Sequence, residues 1–129
     1  AVREFAKQLQ CSTDQLVIGG RSMGGRMCTM AASDEVDPLH VLGIACIGYP
    51  LHPPKKPDKL RTEHFGNLHN PLLFVSGTRD EFGTPEELEL AWKLLPKQPT
   101  VQMIEKGRHE LRGADAQVAD FVAQWLQNL

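Results

Sequence analysis

Residues 16 to 25 read Leu-Val-Ile-Gly-Gly-Arg-Ser-Met-Gly-Gly, a short apolar run that ends abruptly in glycines around one serine. The apolar residues are typical of a buried strand, and the following run from Met23 to Ala32 is compatible with a helix. A strand that passes directly into a helix needs a sharp turn, which glycines permit. The stretch therefore predicts a strand, a turn and a helix, with Ser22 at the tip of the turn.

Gly20, Ser22 and Gly24 match the pattern G-x-S-x-G, the nucleophile elbow, in which a strained turn exposes the serine hydroxyl. We expect a Cβ at position 20 or 24 to collide as the helix folds back against the strand. A phosphate-binding loop is the competing interpretation of these glycines. It requires Lys-Ser/Thr after the last glycine, whereas Gly25-Arg26 stands here, and the stretch contains no G-x-G-x-x-G. The pattern thus favours a nucleophilic serine.

The composition limits the kinds of partner that the chain can bind. Its 129 residues are 41% apolar, enough for one domain with a core, so we predict a single domain over residues 1–129. The 14 basic and 16 acidic side chains give a net charge of −2, which offers no electrostatic footprint for nucleic acid. No apolar run reaches the length of a membrane span, and the first residues do not resemble a signal peptide. Small, near-neutral partners are favoured.

Three cysteines, Cys11, Cys28 and Cys46, form an odd set without the spacing of metal ligands. Cys46 lies inside an apolar run, where a free thiol packs as a small hydrophobic side chain. Reduced thiols of this kind are typical of the cytoplasm. The sequence therefore predicts a cytoplasmic protein without a metal site.

Three further strands are predicted from apolar runs. Residues 41–49 are almost continuously apolar, which is typical of a strand covered on both faces of a parallel sheet. A second run covers 72–76, and a shorter, more polar one at 100–105 suits a sheet edge. Between them, 51–70 is predicted to be a long loop with one short helical turn near 60–64.

Helical periodicity surrounds these strands. It covers the first ten residues, and it predicts a closing helix from Val118 to Leu129. The helix after the serine carries Met27 and Met30, and we expect it to be buried on more than one side. A capping threonine, a first-turn proline and a glutamate three residues after the cap predict a helix start at Thr84. The order predicts about four parallel strands flanked by helices, an α/β fold.

Ser22, Asp80 and His109 each follow the carboxyl end of a predicted strand. In an open parallel sheet those ends converge on one rim, where ligands bind. A serine hydroxyl needs an imidazole to take its proton, and the imidazole needs a carboxylate to fix its tautomer. The spacing therefore predicts a Ser-His-Asp site in the chain order Ser, Asp, His, which is that of the α/β-hydrolases.

The sequence resembles the α/β-hydrolases of the dienelactone-hydrolase type, and within them predicted bacterial hydrolases related to the testis-expressed and NSL-complex hydrolase-like domains. The resemblance covers essentially the whole chain. Its specific pieces are Gly20-Arg21-Ser22-Met23-Gly24-Gly25-Arg26, Gly48-Tyr49-Pro50-Leu51-His52-Pro53-Pro54, Leu60-Arg61-Thr62-Glu63-His64, Gly77-Thr78-Arg79-Asp80 and His109.

This resemblance implies a serine hydrolase of small ester-like substrates that needs no cofactor and works through an acyl-enzyme. Ser22 would be the nucleophile, Asp80 the acid and His109 the base, and the backbone N–H of Met23 would be one oxyanion donor. The family fold begins with several strands before the first helix of this chain. We therefore expect residues 1–129 to form the C-terminal half of an α/β-hydrolase fold, without its N-terminal strands or its second oxyanion donor.

Each assignment has an alternative. Ser22 fits an ordinary turn, Asp80 fits a cap with Glu81 as the rival acid, and His109 fits a surface loop. The whole domain also fits a hydrolase-like interaction module without turnover. A further set of polar residues in the long loop fits either a solvated surface or a substrate loop that attracts anionic acyl groups; it comprises His52, Lys55, Lys56, Lys59 and Arg61.

Overall fold

Four parallel strands are flanked by four α-helices in the computed structural model, which describes residues 1–129. The strands are β1 (Val17–Arg21), β2 (Gly43–Ile47), β3 (Leu72–Gly77) and β4 (Thr100–Ile104). The helices are α1 (Val2–Gln8), α2 (Met23–Ala32), α3 (Pro85–Trp92) and α4 (Asp115–Gln127), with short 3₁₀ turns at Thr13–Gln15 and Phe65–Asn67. The predicted α/β fold of about four parallel strands flanked by helices is confirmed.

The sheet follows the order of the chain, β1-β2-β3-β4, and every pairing is parallel. Gly20 pairs with Cys46, Cys46 with Phe74, and Phe74 with Val101. All four carboxyl ends therefore open onto the same rim. β4 forms one edge, as its polar sequence predicts, and β1 forms the other with β2 as its neighbour.

Successive residues of the two central strands point to opposite faces of the sheet, and each face has its own core. Ile44, Cys46 and Phe74 pack beneath α2 and α3 in a cluster of 14 buried residues. Ala45 and Leu73 pack beneath α4 in a cluster of 7. Because both faces are covered, β2 and β3 need apolar residues at nearly every position.

The predicted start of α3 is confirmed at Thr84. Its Oγ1 accepts a hydrogen bond from the backbone N–H of Glu87, and the Glu87 carboxylate accepts one from the Thr84 N–H. This reciprocal capping box satisfies two backbone donors that the first turn of a helix leaves unpaired.

Three local predictions are wrong. α2 is buried on one side only, since Met27 and Met30 are 54% and 38% exposed. The helical turn in the long loop lies at Phe65–Asn67 rather than 60–64. β2 ends at Ile47 rather than at 49 because Gly48 adopts a left-handed conformation with φ +68°.

No helix in the chain combines the length and the apolar character that crossing a membrane requires.

Candidate active site

Ser22 lies between the end of β1 and the start of α2 with φ 50° and ψ −121°. A non-glycine residue reaches this region only when its surroundings enforce it. Two backbone hydrogen bonds hold it there, because the Ser22 N–H donates to Ile47 O at 2.8 Å and Ser22 O accepts from the Arg26 N–H at 3.2 Å. The turn is therefore fixed by its neighbours and presents the hydroxyl above the sheet.

The glycines around this turn differ in why they are needed. A Cβ on Gly20 would lie 2.6 Å from the carbonyl carbon of Gly24, and one on Gly25 would lie 2.8 Å from Gly20 O and 3.2 Å from the Cα of Cys46. A Cβ on Gly24 would meet nothing within 4 Å. The expectation for Gly20 agrees with this geometry, but that for Gly24 is wrong. Residue 25, which faces the strand, carries the constraint instead.

Three polar side chains from separate strand ends meet at the rim. Ser22 Oγ lies 2.8 Å from His109 Nε2. The other ring nitrogen, Nδ1, lies 2.9 Å from Asp80 Oδ2 and 3.1 Å from Oδ1. The serine hydroxyl, the imidazole and the carboxylate thus form one continuous hydrogen-bonded line, and Asp80 can hold Nδ1 protonated so that Nε2 faces the serine as an acceptor.

The Asp80 carboxylate is 2% exposed and is held by its own loop. Its Oδ1 accepts a hydrogen bond from the Phe82 N–H at 2.8 Å, and the Phe82 ring stacks on the His109 imidazole with centroids 4.0 Å apart. Asp80 therefore serves as a turn cap and as a partner of His109 at once. Glu81, the rival acid, is exposed.

The loop that carries His109 packs closely, backbone against backbone, on the end of β3. The Arg79 N–H donates to Gly107 O at 2.8 Å, and a Cβ on Gly77 would overlap Gly107. Just beyond the end of β2, a Cβ on Gly48 would lie 3.1 Å from His109 O. The acid and the imidazole are thus held as a unit, and glycines allow the backbones to approach.

Arg21 contacts the loop that carries His109, a role that the sequence alone did not predict. Its guanidinium donates to Glu110 O and to Asp115 Oδ1, each at 3.1 Å. The residue before Ser22 is therefore tied to the residue after His109 and to the first turn of α4. Arg21 is exposed, and nothing in its spacing distinguishes it from an ordinary surface arginine.

The Met23 backbone N–H is the first of α2, so it has no acceptor within the helix. It therefore retains a donor next to the Ser22 hydroxyl. The Met23 side chain is 46% exposed.

The polar residues of the long loop divide into three groups. Lys55, Lys56 and Lys59 are exposed. Arg61 is half-buried, with its guanidinium 3.4 Å from Pro50 O. His52 differs from the lysines, since it is 4% exposed and its ring faces Glu87 of α3. No cluster of three or more His, Cys, Asp or Glu side chains in the chain is arranged to hold a metal ion.

Solved structures with this fold include enzymes described as a lipase, a hydrolase and an esterase. One is the monoacylglycerol lipase of Paleococcus ferrophilus, with a TM-score of 0.73 and 14% identity; the match covers 97% of this chain and 72% of the lipase. Another is a predicted CIB-like hydrolase of Thermoplasma acidophilum, with a TM-score of 0.70 and 21% identity; the match covers 99% of this chain and 57% of the hydrolase. A third is the thermophilic esterase Est2 of Thermogutta terrifontis in its propionate-bound form, with a TM-score of 0.73 and 16% identity; the match covers 98% of this chain and 60% of the esterase. The chain thus spans 57 to 72% of their lengths.

The sequence model of one protein family, described as an alpha/beta hydrolase domain, matches residues 1–127. That match covers the turn at Ser22, all four strands and the rim on which Ser22, Asp80 and His109 meet. The chain therefore belongs to the α/β-hydrolase domain family.

Proposed function

We propose that this chain carries the nucleophile, acid and base of a serine hydrolase that cleaves small ester-like substrates through an acyl-enzyme. The observation that carries the proposal is the line of short contacts from Ser22 Oγ through both ring nitrogens of His109 to Asp80. A hydroxyl alone is a weak nucleophile at neutral pH, and this arrangement is the one that activates it.

In the proposed first step, His109 Nε2 removes the Ser22 proton as Oγ attacks the ester carbonyl carbon. Asp80, held at Nδ1, stabilises the imidazolium that forms. The Met23 N–H donates to the oxyanion of the tetrahedral intermediate. His109 then returns the proton to the leaving alcohol as the C–O bond breaks, which leaves an acyl group on Ser22. Water, deprotonated by His109, hydrolyses that ester in the second step and restores the serine.

The substrate class rests on two supports. The mechanism requires a carbonyl carbon with a leaving group that His109 can protonate, and esters meet this requirement. Neighbours in the fold are described as a lipase and an esterase, although their identity to this chain is 14 to 16% and the likeness is one of fold. Placement within the dienelactone-hydrolase type is a further part of the proposal, carried by the residues from Gly48 to Pro54.

A fluorophosphonate probe tests the nucleophile directly because it reacts with activated serines. We expect peptide mapping to locate the probe on Ser22 in the wild type and in Ser12→Ala, which removes an exposed serine elsewhere on the chain. Ser22→Ala should abolish labelling, and Asp80→Asn should slow it by about 10⁴-fold.

Equal labelling of Ser22→Ala, or no labelling of folded wild-type chain, would contradict the proposal. The second of these outcomes would favour a hydrolase-like interaction module without turnover.

A further inference from the structure

A second histidine, His52, is buried close to the acid of the candidate site. Its side chain is 5% exposed, and both ring nitrogens face oxygen atoms. Nδ1 lies 2.7 Å from Pro53 O, and Nε2 lies 2.9 Å from Oε2 of Glu87. The second contact is short but not well aligned as a hydrogen bond, so it is attractive mainly when the ring carries a charge.

These neighbours determine the protonation state of the ring. A neutral imidazole carries a lone pair on one nitrogen, and at His52 either tautomer would leave that lone pair within 2.9 Å of an acceptor oxygen. Only the imidazolium, with a proton on each nitrogen, presents a donor to both the Pro53 carbonyl and the Glu87 carboxylate. The geometry alone therefore favours a charged His52.

Glu87 is held in place by the start of α3. Its Oε1 accepts from the Thr84 N–H at 3.0 Å, which leaves Oε2 for His52. The hydrogen bond from Thr84 is the largest of the effects that lower the pKa of the Glu87 carboxyl, so this group stays ionised at neutral pH. A fixed carboxylate thus faces a fixed imidazole.

The pair is joined to the candidate active site through one residue. The His52 backbone N–H donates to Phe82 O at 3.0 Å. Phe82 in turn donates its N–H to Asp80 and stacks its ring on His109. Next to it, a Cβ on Gly83 would lie 3.1 Å from the Cβ of Leu51, so the two backbone segments pack without a gap.

We propose that the buried ring of His52 and the partly exposed carboxylate of Glu87 form an imidazolium–carboxylate pair that positions the Asp80–Phe82 loop against His109. They are positioning residues, since neither contacts Ser22 or His109. The effect of this pair on catalysis rests on the proposed hydrolase function. The existence of the pair and its effect on the position of the loop do not depend on that function.

The charges around His52 agree with the geometry. Burial by itself lowers the pKa of the His52 imidazole, but the Pro53 carbonyl and the carboxylates of Glu87 and Asp80 outweigh it, so the pKa lies above its usual value. The charged groups that face the ring are Glu87 from α3 and Asp80 from the loop before it, and both are acidic.

Ring ¹⁵N NMR tests the pair without any need for turnover. We expect both His52 nitrogens of the wild type to be protonated at pH 6.5, the usual midpoint for histidine. Glu87→Gln keeps an oxygen acceptor for the Thr84 N–H but removes the charge, and it should lower the His52 pKa, so that fewer rings are doubly protonated at pH 6.5 than in the wild type. Glu86→Gln is the matched control because it removes an exposed carboxylate from the same helical turn.

The same spectra report whether the pair positions the loop. Glu87→Gln should shift the ring resonances of His109, and Glu86→Gln should leave them in place. A His52 that is mostly neutral at pH 6.5 in the wild type would overturn the proposal, and so would His109 resonances unmoved by Glu87→Gln.

Kinetics supply a readout that a loss of stability alone would not give. We expect Glu87→Gln to lower kcat per folded molecule about tenfold with little change in KM, because misplacing the acid affects proton transfer rather than substrate binding. An unchanged kcat would overturn the positioning role. Failure of the serine mechanism is detected separately, by probe labelling at Ser22, and it leaves the NMR result intact.

Discussion

The turn at Ser22 and the side chain of His52 are both held in place beside the same rim, but by different means. At Ser22 the backbone is held by contacts with other backbone atoms, and these contacts dictate residue type at Gly20 and Gly25. At His52 the imidazole ring is held by a side chain on another element, Glu87, 35 positions further along the chain. A backbone contact leaves a local pattern in the sequence, whereas a paired side chain leaves two ordinary polar residues far apart.

The largest expected effect comes from adding a methyl group to the backbone-determined region. Gly20→Ala should destabilise the fold by about 3 kcal/mol or more, because its Cβ would lie 2.6 Å from the Gly24 carbonyl carbon and neither backbone can move freely. Gly24→Ala is the matched control, with nothing within 4 Å of the added carbon, and should be neutral or stabilising by up to about 1 kcal/mol.

Urea unfolding of both variants measures the difference. Equal effects of Gly20→Ala and Gly24→Ala would show that position 20 accepts a Cβ as readily as position 24 does. Backbone contacts would then not dictate the residue type at position 20.

An intermediate effect is expected from the pH dependence of the region held by side chains. Because the folded-state pKa of His52 is raised above its usual value, its charge stabilises the fold fully below about pH 6.5. That contribution is lost as the pH rises through the folded-state value, by about 1.4 kcal/mol for each unit of the shift. His52→Gln cannot titrate and should lack this loss.

The measurement is the difference in free energy of unfolding between wild type and His52→Gln from pH 6 to 9. The other histidines are common to both proteins and cancel in the difference. A difference that stays constant, or that grows with pH, would contradict a charged His52 in the folded state.

A smaller effect is expected at the tip of the turn itself. Glycine reaches φ 50°, ψ −121° without the cost that a Cβ imposes, although it also loses more freedom on folding. Ser22→Gly should therefore be more stable than Ser22→Ala by about 1 kcal/mol. Thermal unfolding of the two variants measures this, and a less stable Ser22→Gly would mean that the turn imposes no strain.

Much of the fold was predictable because its determinants are local. Continuous apolar runs identify β2 and β3, since a strand covered on both faces needs them, and the capping box identifies the start of α3 at Thr84. The order of Ser22, Asp80 and His109 after strand ends placed all three at one rim. The distances among them depend on the register between strands, which periodicity does not specify.

The wrong and missed predictions share a physical cause, which is the orientation of side chains relative to distant elements. Periodicity did not show that Gly25, rather than Gly24, faces β1, because a helix face is defined only by what packs on it. It also did not show that Met27 lies on the open side of α2. Arg21 and His52 have partners 94 and 35 positions away, so no local pattern marks either one.

The backbone contacts between the end of β3 and the loop before His109 affect the order of events during folding. Asp80 and His109 are 29 residues apart in the chain, whereas Ser22 and His109 are 87 apart. Closing the longer connection costs about 1 kcal/mol more chain entropy, so contacts between β3 and the His109 loop are favoured to form earlier. On refolding, the acid and the imidazole would find each other first, and the serine would reach them only when β1 docks on β2.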